Sequence, residues 1–168
     1  SCTGESKALY STQEQIWRLY SEDGVIVYSS DVGGTENEQL YILGQDGPRD
    51  VTGDPATRFF LGGLMPDGKT LVFSCNARDK QTFDIEALDT ESGEKRMILQ
   101  NTDNYNTPAA LSPNGKYLLY NKLLGASNNA LWMVDTETGK ACRRPDTTTV
   151  SAATHPVFTP DSSAFYFI

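Results

Sequence analysis

Short apolar runs, each preceded by a polar turn, recur along the chain from Val25 onward. Val25-Ile26-Val27-Tyr28, Leu71-Val72-Phe73, Tyr117-Leu118-Leu119-Tyr120 and Phe165-Tyr166-Phe167-Ile168 are rich in β-branched and aromatic residues. Runs of this kind read as strands, and no continuous helical period competes with them. A second run follows each polar loop: Gln39-Leu40-Tyr41-Ile42-Leu43, then Phe83-Asp84-Ile85-Glu86-Ala87-Leu88, then Ala130-Leu131-Trp132-Met133-Val134. These end in Gly-bearing turns: Gln45-Asp46-Gly47, Asp89 to Gly93, and Asp135 to Gly139. A more polar strand comes next: Arg49-Asp50-Val51-Thr52, Lys95-Arg96-Met97-Ile98-Leu99, or Ala141-Cys142-Arg143-Arg144.

The turn before each apolar run repeats. It is Ser21-Glu22-Asp23-Gly24, Met65-Pro66-Asp67-Gly68, Ser112-Pro113-Asn114-Gly115 and Thr159-Pro160-Asp161-Ser162. Its third positions are spaced 67 − 23 = 44, 114 − 67 = 47 and 161 − 114 = 47 residues apart. Pro presets φ and Gly accepts a left-handed conformation, so the chemistry is that of a tight turn. A fixed period in this range means one supersecondary unit repeated in space. Each unit is predicted to be four antiparallel strands, joined first to second by this turn. Gln13 to Trp17, Phe59 to Leu61 and Pro108 to Leu111 supply the first strands. The two middle strands are apolar on both faces, as in a sheet sandwiched between two others. The last is polar, as at an exposed edge. The predicted fold class is all-β, with the units as blades of a β-propeller.

The opening Thr3-Gly4-Glu5-Ser6-Lys7-Ala8-Leu9-Tyr10 resembles Ser92 to Leu99, so it reads as a last strand. The blade repeats are then placed at about 16–58, 59–104 and 105–150, with partial blades at 1–15 and 151–168. That is an incomplete ring or a fragment. Ile168 ends an apolar strand, an odd place for a natural terminus. One alternative pairs Lys7–Tyr10 beside Ala164–Ile168 in a small fourth blade; another has a second copy complete the ring. Open blade faces are expected to self-associate.

Composition narrows the partners. At 38% hydrophobic, the 168 residues can build a core. The net charge of −8 argues against a nucleic-acid partner. No apolar stretch reaches the ~18 residues of a membrane span. No signal peptide reads in the sequence, although it opens at Ser1 and not Met. Cys2, Cys75 and Cys142 match no zinc spacing and read as free thiols. They slightly favour a reducing compartment, with Cys2 a candidate for lipid attachment. The compartment stays open between cytoplasm and periplasm.

The repeat resembles the Pro-Asp-Gly propeller repeat of the prolyl oligopeptidase family of serine peptidases, and also that of TolB-type proteins. The likeness covers nearly the whole chain. It is clearest in Met65 to Lys69, Ser74-Cys75-Asn76-Ala77-Arg78-Asp79, Phe83-Asp84-Ile85, Ser112 to Lys116, Ser127 to Trp132 and Asp135 to Gly139. Gly33 to Tyr41 is similar too. Departures are Tyr20, Leu64, Leu111 and Phe158 where the family often has Trp, Glu22 for Pro, and Ser162 for Gly. In the peptidases an α/β-hydrolase domain carries a Gly-x-Ser-x-Gly elbow. This chain has none; Gly125-Ala126-Ser127-Asn128-Asn129 lacks the final Gly. The resemblance therefore carries over no catalytic residue. It implies a non-catalytic propeller segment that gates or scaffolds peptide access, with an α/β-hydrolase domain elsewhere in the parent chain. The alternative is a TolB-like propeller that binds protein partners in the cell envelope.

Isolated constellations weigh little. A Ser127, Asp161, His155 triad can be written but has no elbow, and His155 reads as a structural residue of a first strand. One His and scattered Cys supply no metal site. Asp31, Glu36, Glu38, Asp79, Asp84, Asp89, Glu91, Asp135 and Glu137 sit mostly in loops and turns, where carboxylates cap backbone. Trp17, Tyr20, Tyr105 and Trp132 read as packing between blades. No catalytic, metal or cofactor residue is assigned. The loops at 31–38, 76–82 and 124–129, between the second and third strands, are where function is expected.

Overall fold

The computed structural model describes residues 4, 8–102, 105–125, 128–143 and 155–168. Four sheets follow one another along the chain, each antiparallel with its strands in sequence order. The first holds β1 (Ile16–Glu22), β2 (Val25–Ser30), β3 (Gln39–Gly44) and β4 (Gly47–Asp50). The second holds β5 (Phe59–Leu64), β6 (Thr70–Cys75), β7 (Asp84–Asp89) and β8 (Lys95–Leu99). The third holds β9 (Asn106–Leu111), β10 (Tyr117–Gly125), β11 (Asn128–Asp135) and β12 (Ala141–Arg143). A hairpin of β13 (Val157–Phe158) and β14 (Phe165–Tyr166) begins a fourth. Among the described residues no helix is long and apolar enough to cross a membrane.

The Pro-bearing turns fold as their residues dictate. Gly68 N donates to Met65 O at 3.0 Å, and Asp67 Oδ1 accepts from Lys69 N and Thr70 N at 2.9 and 2.8 Å. Gly115 and Ser162 close the same turn with φ of 72° and 61°. The first turn differs. Glu22 pairs directly with Val25, and Asp23 and Gly24 both take positive φ, 47° and 83°. Without Pro to fix a negative φ at Glu22, the link collapses to a two-residue hairpin.

Sheets stack face to face. Val27 and Leu40 of the first meet Leu61, Leu71, Phe73 and Leu88 of the second. Val72, Ile85 and Ile98 then meet Leu118, Tyr120 and Val134 of the third. Leu119 and Leu131 meet Phe158 and Phe165 of the hairpin. Strands β1, β5, β9 and β13 run beside one another along one side of the stack. β4 and β12 are almost wholly exposed, and β8 is exposed over its first three residues.

Polar ties cross each seam. Arg18 Nη1 donates to Leu61 O at 2.9 Å and to Pro108 O at 2.7 Å, so one guanidinium joins three sheets. Ser74 Oγ donates to Asn106 O at 2.7 Å. Arg49 donates to Thr90 O at 3.1 Å, and Arg96 repeats the contact on Thr136 O at 2.9 Å. β5 comes so near β9 that a Cβ at Gly62 would lie 2.9 Å from Pro108 Cβ and from Val72 O.

Some expectations change. β1 starts at Ile16, not Gln13. Ala8, Leu9 and Tyr10 form no strand; the Tyr10 ring stacks on Tyr28 with centroids 6.2 Å apart. The remainder of that proposed strand, Cys2, Arg144, Ala126 and Ser127 lie outside the described residues. Among the described residues β14 pairs with β13 alone, so Ala8–Tyr10 add no strand there. His155 precedes β13 with φ of 52°, a left-handed backbone that cannot continue a strand.

Candidate functional site

Two loops crown the ends of the first and second sheets. In the 31–38 loop, Asp31 is buried and its carboxylate accepts from Trp17 Nε1 and Glu36 N, both at 2.9 Å. The Trp17 bond, then the Glu36 bond, hold the Asp31 carboxyl below its usual range. Glu38, also buried, accepts from Ser29 Oγ at 2.7 Å. Burial pushes the Glu38 carboxyl up, against the pull of Ser29 and Arg58.

Arg58 enters from just before β5. Its guanidinium lies 3.9 Å from both Glu36 and Glu38 and stacks over the Phe60 ring at 4.8 Å. Phe60 belongs to a cluster with Phe83 and Tyr105, the latter two only 4.2 Å apart between centroids.

In the 76–82 loop, Arg78 grips Asp84 through Nε at 2.7 Å and Nη2 at 2.9 Å. Arg78 Nη2 also reaches Asn101 O at 2.6 Å, and Asn101 N donates to Asp84 Oδ1 at 2.7 Å. Asp84 is 1% exposed, so this fork closes the base of the loop with a desolvated carboxylate. Lys80 Nζ bonds Ala56 O at 2.8 Å and ties the loop back to the chain before β5.

The other acids serve turns. Asp79 Oδ1 accepts from Gln81 N at 2.9 Å. Asp89 Oδ1 accepts from Glu91 N and Ser92 N at 2.9 Å each, and Asp135 Oδ1 from Glu137 N and Thr138 N at 3.1 and 2.8 Å. Those Ser92 and Glu91 bonds bring the Asp89 carboxyl down to about 2. Asp161 accepts from Thr159 Oγ1 at 2.6 Å inside its own turn. Ser127, the third member of the written triad, lies outside the described residues. Among the described residues no three His, Cys, Asp or Glu gather as a metal site would need. Cys75 ends β6 fully buried, which raises its thiol to about 11, far from a reactive thiolate.

At the opposite end of the stack a cavity of about 250 Å³ opens between the first three turns. Tyr20, Glu22, Leu64, Pro66, Leu111 and Pro113 line it. The structure thus brings Trp17 to Asp31 and Tyr105 to Phe60, while Trp132 stays between sheets against Tyr120. Arg18 and Arg58 escaped the sequence reading. The available signal was a cation in or beside an apolar first strand, in Ile16-Trp17-Arg18-Leu19 and Arg58-Phe59-Phe60-Leu61. Taken together the rim offers rings, one stacked guanidinium and carboxylates.

No family model matches the chain, and no curated protein matches it. Its fold is similar to several solved structures. TolB from Acinetobacter baumannii aligns with a TM-score of 0.71 at 15% identity, over 95% of this chain and 39% of that one. Prolyl oligopeptidase B from Galerina marginata aligns with a TM-score of 0.65 at 16% identity, over 88% of this chain and 21% of that one. The β-propeller domain of the Trilobed protease from Pyrococcus furiosus gives 0.55 at 14% identity, over 80% of this chain and 44% of that domain. The chain spans less than half the length of each of these. At such identities the likeness establishes architecture: the stacked sheets are blades of a β-propeller.

Proposed function

We propose that this chain is a non-catalytic propeller segment of a larger serine peptidase of the prolyl oligopeptidase kind, where it gates or scaffolds access of peptides. The observation that carries the reading is the Arg78–Asp84–Asn101 fork. It makes rigid the loop whose residues, Ser74 to Asp79 with Phe83-Asp84-Ile85, bear the peptidase-side resemblance. A rim held by fixed polar ties excludes bulky substrates by geometry, which needs no reactive group of its own. The repeats in this reading run 16–58, 59–104 and 105–150, with partial ones at 1–15 and 151–168.

A second reading is a TolB-like propeller that binds a protein partner of the cell envelope. The 95% of the chain that aligns with TolB favours it. The two are separated by the polypeptide encoded around this chain. For the peptidase, that polypeptide holds a Gly-x-Ser-x-Gly segment and is labelled by a serine-reactive fluorophosphonate. It then cleaves short proline-containing peptides and spares folded proteins. Absence of both the segment and the labelling overturns the first reading.

A further inference from the structure

Equivalent residues of three successive repeats build the cavity of about 250 Å³. Tyr20, Leu64 and Leu111 each stand just before a turn, and Glu22, Pro66 and Pro113 take the second position of those turns. The walls come from three sheets already joined at internal seams, so neither end of the chain is needed to form them. They are also held fixed. Gly68 N and Gly115 N close their turns onto Met65 O and Ser112 O at 3.0 and 2.8 Å. The third turn lies so close on the second that a Cβ at Gly115 would sit 2.8 Å from Pro66 Cδ. Gly63 meets Leu111 in the same way, its added Cβ 3.1 Å from Leu111 Cβ.

Among the described residues that line this cavity, Glu22 alone is charged. Its carboxylate makes no hydrogen bond or ion pair with a described residue. The carboxylates of Asp67 and Asp161, at the third position of their turns, are spent on those turns. Arg18, two residues before Tyr20, is committed to Leu61 O and Pro108 O and does not line the cavity. An unpaired carboxylate beside apolar walls selects a ligand with a cationic end on an apolar stem. The volume falls below that of sites for drug-sized ligands and suits a single side chain. Tyr20 decides between the two candidates. A guanidinium is less strongly hydrated than an ammonium, stacks on an aromatic ring and meets a carboxylate with two parallel bonds.

We propose that this cavity binds the arginine side chain of a peptide, the guanidinium on Glu22 and Tyr20 and the stem between Leu64, Leu111 and the two prolines. The net charge of −8 draws such a peptide in, and Glu22 fixes where its cation stops. The site lies at the end of the stack opposite the 31–38 and 76–82 loops. It needs no hydrolase domain, so it stands or falls apart from the peptidase reading.

Titration of the whole 168-residue chain with the blocked peptide acetyl-Gly-Arg-Gly-amide tests this. The peptide is expected to bind about tenfold more tightly than its citrulline counterpart, which keeps the shape and loses the charge. The lysine counterpart falls between the two. Backbone amide signals of Gly63, Leu64, Leu111 and Ser112 move during the titration. Glu22→Gln, at an exposed turn position, weakens binding by about tenfold, while Asp23→Asn leaves it unchanged because Asp23 lies outside the cavity. Equal affinity for the arginine and citrulline peptides overturns the proposal, as does the absence of any saturable binding. So does equal weakening by Glu22→Gln and Asp23→Asn, which would reduce the effect to general attraction by an acidic chain. Shifts confined to the 31–38 and 76–82 loops would also overturn it, by placing the peptide at the other end.

Discussion

Arg18 Nη1 lies 2.7 Å from the carbonyl oxygen of Pro108, ninety residues further along the chain, and the same nitrogen holds Leu61 O at 2.9 Å. One cation thus spans the inner strands of three sheets. Hydrogen bonds from a charged donor contribute about 1.5–3 kcal/mol each when partly shielded. Arg18→Met is expected to lower unfolding stability by about 2 kcal/mol in urea titrations. Arg18→Lys should recover less than half, because an ammonium is more strongly hydrated than a guanidinium and loses more on leaving water. An unchanged midpoint for Arg18→Met would show the tie to be idle.

Gly62 marks the closest approach of β5 to β9. A methyl there meets Pro108 Cβ and backbone Val72 O, both at 2.9 Å, so neither strand can give way cheaply. Gly62→Ala is expected to cost about 2–3 kcal/mol by overpacking. Gly44→Ala is the control, since its nearest neighbour is at 3.6 Å. It should be neutral or stabilising by up to about 1 kcal/mol through the unfolded chain. Thermal melts of the two variants should move apart.

Asp84 is nearly inaccessible, and Arg78 opposite it is 40% exposed at its side chain. Breaking a fully buried pair costs about 3–5 kcal/mol, and solvent around Arg78 reduces that to about 2–3 kcal/mol. Asp84→Ala also frees Asn101 N, so hydrogen exchange at the 76–82 loop and at Asn101 should speed up together. Loss of stability with the loop amides unchanged would separate the fork from loop rigidity.

Acid should weaken the fold through its turns. The backbone bonds to Asp89, and the Thr159 and Ser163 bonds to Asp161, bring both carboxyls down to about 2 from an ordinary 3.8. A depressed pKa contributes stability that is present above the ordinary value and lost as pH falls toward the folded one. Unfolding midpoints are therefore expected to drop between pH 4 and pH 2, and less steeply in the Asp89→Asn, Asp161→Asn double variant. Glu38 and Glu86, raised by burial, act with the opposite sign. Their contribution is full below their ordinary 4.5 and is lost as pH rises through the folded values. Glu38→Gln should flatten that upper limb.

The strands were readable because their signals are local. The polar start of Lys95 to Leu99 and the Pro-Asp-Gly chemistry of Met65 to Gly68 act within a few residues, and β8 and the β5–β6 turn lie where those signals put them. The first turn shows the limit of resemblance. Asp23-Gly24 matches Asp67-Gly68 by letter, yet Glu22 in place of Pro permits a tighter link. The likeness of Thr3–Tyr10 to Ser92–Leu99 was weaker evidence still, since Tyr10 finds a ring to stack on instead of a strand. Arg18 was hidden for a different reason. Leu61 O and Pro108 O are backbone atoms, which leave no mark in the letters that surround them. At the rim, the carboxylates of the 31–38 loop were visible, but which would be buried was set by Trp17, Ser29 and Arg58 from other strands.

The guanidinium contacts at Arg49 and Arg96 reach in one direction only, from each sheet to the carbonyl of the sheet that follows. The array consequently has a heading, like a row of dominoes painted with arrows. Tandem copying of a whole repeat preserves every such link, while inversion of the order would leave each cation pointing at nothing. At the third step the matching place, opposite Met133, is held by Cys142. A thiol lacks the guanidinium's charge, and across that seam the rings of Phe158 and Phe165 pack on Leu119 and Leu131 while Asn114 N donates to Ser162 Oγ at 3.1 Å.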